Sequence, residues 1–148
     1  MSIHRHDAPG ATPAGVVAEL VDRLRELGEV LWSAQSDDTL VEVVEGLQSL
    51  ASAAAVVEAG ALVEAEARDL ARERLHFGST GDWVTHMAGL RKGEGKRRLA
   101  RAKALSGPLG RTREALLAGA LSPGQADLVV DAVEALPGGE WTRWRGRN

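Results

Sequence analysis

The 148-residue sequence predicts an all-α protein, and three observations carry that expectation. Hydrophobic residues make up 44% of the chain but aromatics only 3%, with one Phe and no Tyr. A core must therefore come from Leu, Val and Ala, a palette that suits helices packed on helices. Apolar residues recur at three- and four-residue steps in the longer segments, the spacing of one helix face. Helix-start signals punctuate the chain, the clearest being Ser122-Pro123-Gly124-Gln125. The expected architecture is a long antiparallel helical hairpin followed by a bundle of short helices with a helix-turn-helix-like segment.

Residues 1–12 read as a flexible tail. Pro13 opens the first helix, whose apolar face is Val16, Val17, Leu20, Val21, Leu24, Leu27 and Leu31. Gln35-Ser36-Asp37-Asp38 breaks the pattern, with Ser36 or Asp37 as the N-cap of the next helix. That second helix is expected over Thr39–Leu75, with its stripe on Leu40, Val43, Val44, Leu47, Leu50, Ala51, Ala54, Val57, Ala61 and Leu62. Gly46 and Gly60 each weaken it by about 1 kcal/mol relative to Ala. They either permit close helix approach or, at Gly60, mark a break.

Residues 79–139 change character. Ser79 caps a short helix, with Asp82 placed to reach back to the Ser79 amide and Trp83 and Met87 as anchors. Gly89 and Gly93 bracket a turn, and a helix follows over Glu94–Leu105, stopped by Gly107-Pro108. A further short helix covers Leu109–Ala118. In the last helix Ser122 is the N-cap, Pro123 the first residue and Gln125 completes a capping box. Its buried face is Ala126, Val129, Val130, Val133 and Leu136, with Asp127, Asp131 and Glu134 pointing away. Residues 140–148 hold two of the four Trp and three Arg without helical periodicity. They read as an irregular and truncated end.

Composition excludes several chemistries. There is no Cys, hence no disulfide, thiolate metal site or cysteine nucleophile. The first residues lack a signal-peptide pattern. No apolar run nears the roughly 18 residues a membrane span needs, since Glu58 interrupts the best one, Ala53–Val63. A cytosolic location, with no membrane and no cofactor, is expected. His4 and His6 fall in the tail, and His76 and His86 flank a loop as surface residues. Gly93-Glu94-Gly95-Lys96 fails the phosphate-loop pattern, because Leu90 replaces its first Gly and Arg97 its hydroxyl.

The net charge of −3 hides an asymmetry. Residues 1–75 carry 6 basic and 14 acidic side chains, residues 76–148 carry 12 and 7. Seven of the cations fall between Arg91 and Lys103: Arg91, Lys92, Lys96, Arg97, Arg98, Arg101 and Lys103, with Glu94 the one acid. On a helical wheel Gly95, Leu99, Ala102 and Leu105 turn inward and Arg98 lies at the edge of that stripe. A polyanion would relieve the repulsion among so many cations and release its own counterions. The short helix, turn and Glu94–Leu105 helix have helix-turn-helix proportions, with the basic helix in the recognition position. Without Asn or Gln on that helix, phosphate contact is the expectation rather than adenine reading. The competing reading is a solvated face paired with acids of the first two helices.

Four phrases come in a recognisable order: Ala65-Glu66-Ala67-Arg68, Ser79-Thr80-Gly81-Asp82-Trp83-Val84, Gly95-Lys96-Arg97-Arg98-Leu99-Ala100-Arg101-Ala102 and Ala118-Gly119-Ala120-Leu121-Ser122-Pro123-Gly124-Gln125-Ala126. Together with the preceding helices they resemble the 13E12-repeat family, domain of unknown function 222, over most of residues 14–139. The resemblance implies an architecture that often precedes a metal-dependent nuclease module of the His-Asn-His (HNH) type. No His follows Leu90 here, so no nuclease residue is carried over. The expected function is a non-catalytic DNA-binding helical domain, a shortened relative of such nucleases. The alternative is a protein-interaction or oligomerisation module working through the long helix, with a second copy or another protein as partner.

Overall fold

A computed structural model of the protein describes residues 12–137, and within them the chain is helical with no strand. The expected tail and the Trp- and Arg-rich end lie outside the described residues, apart from Thr12. Seven helices follow in order: α1 Pro13–Leu27, α2 Asp37–Ala67, α3 Leu70–Glu73, α4 Thr80–Met87, α5 Glu94–Ser106, α6 Gly110–Leu117 and α7 Pro123–Glu134. The chain divides into two units, residues 1–42 and 43–148, with the boundary inside α2. The hairpin expected of α1 and α2 would join the two units and stays an expectation.

In the first unit, Thr12 caps α1 by accepting from the Gly15 amide at 3.1 Å, and Pro13 takes the first helical turn. The helix stops at Leu27 with Gly28 at its C-cap. Leu31, expected on its apolar stripe, instead lies beyond the helix end and is 69% exposed. A short 3-10 turn over Trp32–Ala34 precedes α2. Ser36 serves as the cap there, its hydroxyl accepting from the Thr39 amide at 3.2 Å.

The second unit is built around one apolar cluster. Val56, Ala59 and Leu62 of α2 meet Val84 of α4, Leu99, Ala102 and Leu105 of α5, Leu109, Leu116 of α6, and Ala126 and Val130 of α7. The buried face of α2 is Ser52, Val56, Ala59, Leu62 and Ala65, rotated from the expected stripe, on which Val44, Leu47 and Val57 stay exposed. Alanine-rich sequence leaves this helix apolar on more than one side, so periodicity alone cannot choose the face. By length and composition α2 is also long and apolar enough to cross a membrane. That corrects the count of uninterrupted apolar residues, which stopped at Glu58.

The long helix ends eight residues before the expected Leu75. Asp69 adopts a left-handed conformation (φ 51°), which Asp tolerates better than most residues, and α3 restarts from it. Gly60 does not mark the break, and a Cβ there would meet nothing within 4 Å.

The short helices match the sequence closely. At α7 the Gln125 amide donates to Ser122 Oγ (3.2 Å) and the Ser122 amide to Gln125 Oε1 (2.9 Å), completing the capping box. At α4 only half forms: the Asp82 amide donates to Ser79 Oγ at 3.1 Å. No return bond to Asp82 is made among the described residues, its side chain being one methylene shorter than the Glu of that motif. Val84 is fully buried, whereas Met87, expected as an anchor, is 56% exposed. Likewise Leu136, expected on the buried face of α7, is 45% exposed because it lies past the end of the helix.

Candidate nucleic-acid interface

The basic segment is held by a close approach of α4 and α5. Gly93, at φ 89°, turns the chain into α5 and offers no side chain to cap it. The exposed start of a helix leaves amide donors without partners, and here another helix supplies one. Thr85 Oγ1 of α4 accepts from the Gly95 amide at 3.1 Å and donates to the Gly81 carbonyl at 2.8 Å. A Cβ on Gly95 would overlap both Gly81 O and Thr85 Oγ1. Only glycine lets the two backbones meet, so the first turn of α5 is placed by backbone and hydroxyl contact, while Leu99 and Leu105 further along pack into the core.

Gly95, Leu99, Ala102 and Leu105 are the buried residues of α5, the inward face expected from the wheel. The seven cations divide around it. Arg101 is the most enclosed: its side chain is 14% exposed and its Nη1 donates to Asp127 Oδ1 at 2.9 Å. Arg98, at 30% exposure, lies 3.6 Å from Glu58 of α2. Arg97 stands 3.6 Å from Asp131, both side chains being more than half exposed. Lys103 reaches Glu66 at 2.6 Å. Arg91, Lys92 and Lys96 are exposed and their side chains make no salt bridge among the described residues, although the Glu94 carboxylate sits beside them and accepts from the Arg91 backbone amide at 2.9 Å.

This arrangement corrects the reading of Asp127 and Asp131 as acids pointing away from the core. They pair with α5 in opposite order, Arg97 with Asp131 and Arg101 with Asp127. A signal was present in the sequence: two arginines four apart on one helix and two aspartates four apart on another. Arg98 and Lys103 reach acids of α2, as the competing reading anticipated. A cavity of about 340 Å³ between α5 and α7 is lined by Arg97, Arg98, Arg101, Asp127, Asp131 and Glu134, a wall of mixed sign.

Exposure decides which pairs are fixed. A well-solvated ion pair contributes about 0–1 kcal/mol, so a phosphate could take Arg97 from Asp131 at little cost. Arg101 differs, because removing it from Asp127 would strand a largely enclosed guanidinium. The interface that remains is Arg91, Lys92 and Lys96 at the start of α5, with Arg97 and Lys103 exchangeable and Arg98 and Arg101 committed to holding the bundle. Arg111 and Arg113 on α6 are also exposed cations, which a search for one contiguous basic run passes over.

No group of three or more His, Asp or Glu that could hold a metal occurs among the described residues. His76 and His86 are exposed, and the ring of His86 lies 5.4 Å from that of Phe77. Comparison with known proteins finds no matching family model, no matching curated protein and no matching solved structure.

Proposed function

We propose that this chain is a non-catalytic, cytosolic helical module that lies against nucleic-acid backbone, DNA foremost, through the N-terminal end of α5. The observation that carries the reading is that the side chains of Arg91, Lys92 and Lys96 gather there without a salt bridge among the described residues, three cations beside the single carboxylate of Glu94, which accepts from the Arg91 amide. The start of a helix adds a favourable field for anions. The ordered phrases that resemble the 13E12-repeat family point the same way, toward a DNA-related architecture.

Contact of this kind is with phosphate and carries little sequence information. The Arg91→Ala/Lys92→Ala/Lys96→Ala variant should lose most affinity for a duplex at low salt while keeping its thermal stability. Arg98→Ala/Arg101→Ala should do the reverse, lowering stability with a smaller effect on affinity in the fraction that stays folded. Unchanged DNA affinity in the triple variant would sink the reading.

One observation favours a second reading, an interaction module. Val44, Leu47 and Val57 on α2 are 60%, 43% and 57% exposed, an apolar face the bundle of the second unit does not use. If that face joins two copies, light scattering should report a dimer that Leu47→Asp/Val57→Asp dissociates and that salt leaves intact.

A further inference from the structure

The helix that is most basic in sequence is not basic on every side in space. Of the five cations on α5, four stand 2.6–3.6 Å from a carboxylate of α2 or α7. On the α7 side the charged cavity brings the three arginines of α5 together with four carboxylates, Glu94, Asp127, Asp131 and Glu134. Glu94 and Glu134 make no salt bridge among the described residues. That wall therefore carries more negative than positive charge.

We infer that the carboxylates of α7 act as an internal substitute for phosphate, with Asp131 withholding Arg97 from a nucleic-acid backbone and confining it to the start of α5. The inference rests on the nucleic-acid reading above and adds what limits that contact. Asp127 and Asp131 lie about 6 Å apart along the axis of α7, and each engages one arginine of α5, as two neighbouring phosphates would. A solvated pair such as Arg97–Asp131 is weak by itself. What holds Arg97 back is its surroundings: a backbone that reaches it must also face Asp131 and Glu134, and like charges brought together repel. Arg101 stays out of reach for a different reason, because its side chain is largely enclosed. α7 thus draws a boundary along the basic helix, with the cations of its first turn outside and Arg97 inside.

The test is Asp131→Asn, which removes the charge of an exposed side chain and keeps its size. In a salt-titrated duplex-binding assay on the full chain, the variant should bind about two- to fivefold more tightly than the parent, the range of a solvated ion pair. Its log–log salt dependence should steepen by about one, for one further phosphate contacted. Glu45→Gln makes the same change in net charge about 20 Å along α2 from Glu58, well beyond the screening length of roughly 10 Å, and should do neither. A double-mutant cycle assigns the gain to its residue: Arg97→Ala should cost more affinity in the Asp131→Asn background than in the parent. Thermal melts confirm that the variants are folded.

Unchanged affinity and slope in Asp131→Asn overturn the inference. So does an equal gain from Glu45→Gln, or a gain that persists without Arg97. Each of these can occur while the Arg91→Ala/Lys92→Ala/Lys96→Ala variant still loses its affinity, so failure here is separate from failure of the nucleic-acid reading. A parent and an Asn variant that both ignore the duplex overturn the two together.

Discussion

Gly95 meets the Gly81 carbonyl and the Thr85 hydroxyl so closely that an added methyl must push α5 away from α4. Gly95→Ala would normally gain helix propensity of about 1 kcal/mol. Overpacking of a tight site costs about 1–3 kcal/mol, and weakening of the hydrogen bond from the Gly95 amide to Thr85 Oγ1 adds to it, so the variant should melt several degrees below the parent. Calorimetry checks this, and an unchanged or raised Tm would show that the helices can part freely. Arg101 and Arg97 offer a contrast at the same scale. Arg97→Ala should change stability by under about 1 kcal/mol, as solvated pairs do. Arg101→Ala removes a largely enclosed charge-assisted hydrogen bond worth about 1.5–3 kcal/mol, reduced here because Asp127 is nearly half exposed. A larger fall in urea midpoint for the Arg97 variant would reverse this ranking. The sequence displayed all seven cations but not their bonds, since pairing depends on which helices become neighbours.

Among the elements, the short helices were the most legible and the long one the least. α7 announces itself because its start is chemically specific: a hydroxyl, a proline and an amide at fixed offsets. Its cap should behave accordingly, with Ser122→Ala costing about 1 kcal/mol in chemical denaturation. The inward face of α5 was equally plain, because its cations leave only one stripe of small and apolar residues. α2 hid both its end and its buried side. Nothing near Asp69 is a strong breaker by type, and a helix rich in Ala, Val and Leu all round carries no single stripe. Gly60 was open to two readings, a close approach or a break, and fits neither, since it sits mid-helix with open space where a Cβ would go. Gly60→Ala should therefore raise stability by about 1 kcal/mol, and a loss instead would reveal a close neighbour at that face.

For the molecule as a whole, charge bookkeeping changes what a binding experiment should read. Seven free cations on a duplex would give a log–log dependence of affinity on salt near −6, from about −0.9 per phosphate neutralised. With Arg91, Lys92 and Lys96 as the free set, the slope should be about −3. It should steepen by about one each for Arg97 and Lys103 if phosphate displaces their carboxylates. A slope flatter than about −1 would leave no room for the proposed contact. The sequence disclosed the acidic and basic halves of the chain. It did not disclose that acids of residues 58 and 66 are spent on cations of residues 98 and 103, because attraction between distant segments is visible only once they are folded together.

The Thr85 hydroxyl has one more consequence. Since Gly93 brings no capping group, the first turn of α5 borrows its acceptor from α4, and α5 depends on a neighbour that carries its own Ser79 cap. A peptide of residues 91–106 should be mostly random coil in water, whereas one of residues 79–106 should gain more helix than its two halves measured separately. The pair would then be acquired in a single cooperative step, with amide exchange at Gly95 slowing only when Thr85 is in place.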